Sequence, residues 1–196
     1  MQPTTLFYIL ILILLISFII DKVLDALNAK HFNDDIPAEL ADVYGKDEYK
    51  KSQDYKKANA KFSSISALFS ILVMIGFFFL NGFKYVDDFA RSYSENSILV
   101  ALIFFGVIMV GSDILTTPFS YYKTFVIEEK FGFNKSTVAQ FFKDQAISLS
   151  LVLAIGLPIL ALILWVMESV GEFWWLYAWA ILMSFSLLMS WLFPTV

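Results

Sequence analysis

Five stretches of this chain are almost free of charge, and their lengths restrict its fold more than any other feature. Residues 1–20 hold no charged side chain, and neither do 62–83, 145–167 nor 173–196. Residues 96–122 carry a single one, Asp113. A bilayer core of ~30 Å is crossed by ~20 apolar helical residues. Lipid offers no partner to an open backbone, so helices are the expected form. The strict alternation of a membrane barrel is missing from runs such as "LFYILILILLISFII". The chain is therefore expected to be an all-α membrane protein with five transmembrane helices, at about 4–23, 62–83, 96–120, 145–167 and 173–193.

Composition supports this. Only 16% of the 196 residues are charged and 59% are hydrophobic. A soluble domain carries about 25% charge. Too little polar surface exists to coat a globule, so the bilayer is the first expected partner. The absence of cysteine removes disulfides, thiolate nucleophiles and thiolate metal ligands. A net charge of −4, with no basic patch interleaved with aromatics, gives no sign of nucleic-acid binding. The first apolar run reads as a retained anchor: "MQPTT" has no positive charge, and "SFIIDKVLDALNAK" offers no small-x-small cleavage site.

Lysine and arginine set the expected orientation. The connector 21–61 holds eight, the second connector two (Lys84 and Arg91), the third four (Lys123, Lys130, Lys135, Lys143), and "ESVGE" none. Alternate connectors thus carry 12 against 2. The positive-inside rule puts the first and third in the cytoplasm, the N-terminus outside and the C-terminus inside.

Within the first connector, "PAELADVY" after Pro37 reads as a short helix stopped at Gly45. From there "KDEYKKSQDYKKANAKF" reads as helix continuing into the second span, with Asp47–Lys51 and Asp54–Lys57 spaced for ion pairs. Tyr55, Ala58, Phe62, Ile65 and Phe69 form one stripe along it. Lys57 and Lys61 share a face close to the membrane and can reach anionic headgroups; a solvated face laced by ion pairs is an equally good reading.

The third connector is expected to begin after Pro118. It holds the most distinctive stretch, "TFVIEEKFGFNKST", in which Gly132 is placed for a positive φ and Ser136 for an N-cap. The last two spans, separated by five residues, are expected to form a hairpin. Trp165, Trp174, Trp175, Tyr177 and Trp179 gather at its tip as an external interfacial belt. Asp113, an ionisable group inside a span, is a functional candidate by default. Its two readings are lining a wet chamber, or hydrogen bonding to Ser or Thr on a neighbouring helix, and the second is favoured.

The segment "TPFSYYKTFVIEEKFGFNKST" resembles the N-terminal membrane part of the Ste24-type CaaX prenyl proteases, whose motif runs Thr-Phe-Val-Ile-Glu-Glu-Lys-x-Gly-Phe-Asn. Thr124 to Asn134 match it at each fixed position, and "DEYKKSQDYKKANAKF" is similar to the segment leading into that family's second span. The resemblance implies an integral-membrane zinc metalloendopeptidase of seven spans enclosing a chamber. It cuts a peptide near its C-terminus, with zinc held on a His-Glu-x-x-His helix. This chain has one histidine, His31, and no such motif, so none of its residues is expected to be catalytic or to bind metal. The resemblance further implies a C-terminal catalytic half beyond Val196 as partner, a peptide substrate, and no hydrolysis by this segment alone. Glu128, Glu129, Gly132, Phe133 and Asn134 are then candidates for a loop that docks that half, with Phe131 and Phe133 filling an apolar seat. Alternatively the carboxylates pair locally with Lys130 or Lys135 and shape the turn. The rival function is a non-enzymatic membrane scaffold or binding module. A transporter is disfavoured, since Asp113 has no intramembrane charge partner in sequence and no inverted repeat is visible. A bacterial inner membrane is preferred over the endoplasmic reticulum because no retention signal is seen.

Overall fold

The computed structural model describes residues 3–32, 36 and 45–192. Every regular element among them is helical: α1 (Pro3–Ala29), α2 (Lys46–Phe79), α3 (Gly82–Arg91), α4 (Ser97–Tyr122), a π-helical turn (Lys123–Glu128), α5 (Glu129–Phe131), α6 (Val138–Val170), a 3-10 turn (Gly171–Phe173) and α7 (Trp174–Leu192). By length and composition, four continuous helical stretches suffice to cross a membrane: Thr4–Ala29, Lys46–Phe79, Ser97–Phe131 and Val138–Leu192. The last contains both α6 and α7, so five long helices are present. Their apolar side chains face outward: Leu12, Ile13, Leu72 and Leu187 are each more than half exposed. Helices apolar around their circumference require an apolar solvent. The expected short helix after Pro37 lies outside the described residues.

The chain forms two compact units, Met1–Phe83 with Thr116–Ser136, and Lys84–Leu115 with Thr137–Val196. In the first, α1 and α2 run antiparallel. Phe7, near the start of α1, meets Phe78 and Phe79 at the end of α2, with ring centroids 5.9 and 5.3 Å apart. At the opposite end Lys22 Nζ donates to Ser64 Oγ at 3.3 Å. The single helix expected across the connector and second span is present as α2, but it stops at Phe79 rather than running to residue 83. Asn81 takes a left-handed conformation (φ 57°), which turns the backbone so that Gly82 and Phe83 open α3 instead. Along α3, Lys84 pairs with Asp88 at 2.6 Å and Arg91 with Asp87 at 2.7 Å. These hydrogen bonds raise both basic groups above their ordinary pKa values.

In the second unit α6 and α7 pack together as the expected hairpin. Gly171 ends α6 with φ 72°, which a side-chain-bearing residue would resist. The aromatic tip is open: Trp165, Trp175, Tyr177 and Trp179 are all more than half exposed. Asp113 on α4 accepts a hydrogen bond from the Gln145 side chain on α6. The interhelical contact foreseen for Asp113 therefore includes an amide rather than only Ser or Thr. Ser97 Oγ likewise donates to the Glu168 carboxylate, tying the other ends of the same two helices.

Candidate functional site

The third connector departs most from expectation. Pro118 lies inside α4 without ending it, and helical backbone continues through Phe131. Membrane helices accommodate proline because neighbouring groups and local π or 3-10 adjustments satisfy the freed carbonyl. Further along, as a separate feature, the helix widens into the π turn, where the Glu129 N–H reaches the Thr124 carbonyl, five residues back. Such an extra residue rotates every following side chain around the axis, and π turns concentrate at functional positions.

After Phe131 the backbone reverses through a Schellman motif. Gly132 is left-handed (φ 78°, ψ 22°). The Phe133 N–H donates to the Glu128 carbonyl at 2.8 Å, and the Gly132 N–H to the Glu129 carbonyl at 3.0 Å. The expected positive φ at Gly132 is present. The Glu129 carboxylate is engaged locally, accepting from Asn134 Nδ2 at 2.8 Å rather than pairing with Lys130 or Lys135. Asn134 Oδ1 in turn accepts from the Ser136 N–H at 2.8 Å. Ser136 is thereby used as a donor, and the N-cap of α6 is Thr137, whose Oγ1 accepts from the Gln140 N–H at 3.2 Å.

This turn packs onto α2. Tyr55 meets Phe131 and Phe133 edge-on, with centroids 5.3 and 4.8 Å apart. Lys51, expected to pair with Asp47, instead places its Nζ 5.8 Å from the Phe133 ring centre. Phe62 stacks on Tyr122 at 5.6 Å, and Phe69 meets Phe119 at 4.7 Å. The stripe Tyr55–Ala58–Phe62–Ile65–Phe69 is thus the seat of α4's end and the turn beyond it. Phe131 is 7% exposed and so already consumed by its own chain, contrary to the expectation that it fills a seat on another segment; Phe133 keeps 54% of its surface open. Between the two walls runs a groove of about 580 Å³, aromatic and aliphatic, with Lys61 and Lys130 at its polar edge.

The groove offers apolar contact and two ammonium groups, which suit binding. His31 is exposed, and among the described residues no three His, Cys, Asp or Glu side chains gather to hold a metal. These residues do not fit a zinc ion. The sequence signalled the stripe, because its spacing is helical; it did not signal the π turn or the Tyr55 contacts, which depend on segments far apart in the chain.

Comparison with known proteins agrees with the motif. Residues 25–196 match the family described as the CAAX prenyl protease N-terminal region, with five membrane helices. The CAAX prenyl protease 1 homolog of Dictyostelium discoideum is 32% identical over 165 residues, covering 82% of this chain and 39% of that protein. CAAX prenyl protease 1 of Saccharomyces cerevisiae is 33% identical over 144 residues, covering 68% of this chain and 32% of that protein. The crystal structure of S. mikatae Ste24p superposes with a TM-score of 0.90 at 28% identity, covering 99% of this chain and 46% of that one. The chain therefore spans about a third to two fifths of the length of the curated relatives it matches, and under half of the solved structure.

Proposed function

Because the chain belongs to the CAAX prenyl protease family, as its N-terminal membrane part, we propose that it builds chamber walls in a zinc metalloendopeptidase that cuts peptides near their C-terminus. The observation that carries this reading is the match to Ste24p across 99% of this chain. The relatives' names point to a prenylated C-terminal peptide as substrate. The zinc ligands belong to a catalytic half outside these 196 residues, since one histidine cannot make a His-Glu-x-x-His site. The N-terminus faces outside and the lysine-rich connectors face the cytoplasm.

The turn at Glu128–Asn134 is the proposed docking face for that half. With Phe131 and the Glu129–Asn134 pair holding the turn, the groups left to present are the open face of Phe133 and the half-buried Glu128. In the full-length protein Phe133→Ala should lower peptidase activity at temperatures where the protein stays folded, beyond the few degrees of melting temperature expected from losing its contact with Tyr55. Unchanged activity would remove the docking role.

The function is tested with purified full-length protein, and with residues 1–196 alone, on a quenched-fluorescent prenylated peptide. Full-length protein should cleave it in a chelator-sensitive way, and the segment alone should not. Zinc-dependent cleavage by residues 1–196 would refute the division of labour; an inert full-length protein that binds a partner would favour the scaffold. The relatives reported are eukaryotic and lend no support to a bacterial inner membrane over the endoplasmic reticulum; fractionation of the native host distinguishes them.

A further inference from the structure

Lys22 directly follows the first charge-free run with its neighbour Asp21, and Lys61 directly precedes the second. Because α1 and α2 are antiparallel and Lys22 Nζ lies 3.3 Å from Ser64 Oγ, both lysines stand at one level, the edge of the hydrocarbon. There the two helices enclose an open groove of about 410 Å³. Three alanines line it and leave room, while Lys22, Lys57, Lys61 and the Ser64 hydroxyl supply donors. Among the described residues Asp25 is the carboxylate lining the groove, 2.6 Å from Lys22, and Asp54 lies 3.4 Å from Lys57. Lys61 has no ion-pair partner among the described residues, and among them the groove's three lysines outnumber the carboxylates of Asp25 and Asp54. In the adjoining turns on the hydrocarbon side Ile19, Ile65 and Leu68 are each at least half exposed, an apolar surface beneath the charges.

We propose that this groove binds one anionic phospholipid, its phosphate held by Lys61 and Lys22 with the Ser64 hydroxyl, and its acyl chains lying on those apolar side chains. A zwitterionic lipid brings its own cation to the same place and loses the advantage. The level of the lysines, their charge and the apolar surface beneath them match a lipid, whereas a free phosphate would use only the first two.

Native mass spectrometry of the full-length protein in detergent, titrated with phosphatidylglycerol or phosphatidylcholine of matched chains, tests this. Phosphatidylglycerol should be held about tenfold more tightly, and Lys61→Gln should weaken it about fivefold, the effect of one lysine at an anionic surface. Lys22→Gln with Lys61→Gln should erase the preference, and Lys84→Gln on α3 should leave it intact. Equal retention of both lipids, or a preference surviving the double change, overturns the proposal. Displacement of phosphatidylglycerol by inorganic phosphate would also overturn it, since the site would then read phosphate alone. If the double variant does not fold, Lys61→Gln and Lys61→Arg carry the test: Arg should restore the binding that Gln loses, and failure to do so counts against the site.

Discussion

Gly132→Ala separates a backbone requirement from a steric one. Gly132 is left-handed, with φ 78° and ψ 22°. A Cβ there would meet only Lys51 Nζ, at 4.0 Å, an ordinary contact with the end of a flexible side chain. Crowding therefore adds nothing, and the cost is that of placing an L-residue in the left-handed region, about 1–2 kcal/mol. For a chain of this size about 1 kcal/mol shifts the melting temperature by about 2–4 °C, so a fall of about 2–8 °C is expected. Gly132→Asn should cost less than alanine, since asparagine tolerates this conformation. Gly76→Ala supplies the contrast: Gly76 lies inside α2 with nothing within 4 Å of its would-be Cβ. There alanine should be neutral or stabilising by up to about 1 kcal/mol. Thermal unfolding of purified protein in one detergent measures all three, and protease nicking near Phe133 reports the turn itself. If Gly132→Ala melts with wild type while Gly76→Ala falls, the assignment of the turn's stability to left-handed backbone is wrong.

Three further outcomes follow from the contacts around this turn and between the spans. Tyr55→Ala and Phe131→Ala should be non-additive, with a coupling of about 0.5–1.5 kcal/mol in a double-mutant cycle, because their rings meet at 5.3 Å. Additive losses would mean the rings do not act as a pair. Thr137→Ala should cost about 1 kcal/mol through the lost cap on α6, while Ser136→Ala should be nearly silent. Equal losses would place the cap wrongly. Asp113→Ala and Gln145→Ala should couple by about 0.6 kcal/mol, rising to about 1.7, in unfolding measured in mixed micelles; zero coupling would show that this bond does not join α4 to α6.

The long helices were legible because lipid imposes a simple rule: long charge-free runs must close their own hydrogen bonds. The entry of α2 was equally plain, since Asp54 and Lys57 sit at helical spacing and do pair. Helix ends were less so. Phe79 yields to α3 because Asn81 adopts a left-handed turn, which asparagine permits but does not announce. Pro118 pointed to an end that the membrane setting tolerates as an interior position. At the candidate site, Gly132 betrayed its φ through its place between two phenylalanines, but Glu129 had several possible partners along the chain. Asn134 holds it because the Schellman turn brings that amide back over α5. Thr137 rather than Ser136 caps α6 because the helix begins at Val138, so Thr137 is the residue whose hydroxyl meets the Gln140 N–H. Local patterns identify faces that need cover; what covers them is decided by segments distant in sequence.

The central claim is that α2, α4 and α6 each cross the bilayer between the lysine-rich first connector and the α6–α7 turn. The chain has no cysteine, so Lys50→Cys and Glu172→Cys, both exposed, can be expressed in a bacterial host and labelled singly with a membrane-impermeant thiol reagent in intact cells and again after permeabilisation. Glu172→Cys should label in intact cells and Lys50→Cys only after permeabilisation. Labelling of both positions from the same side would contradict an odd number of crossings between them, and with it the account of the fold.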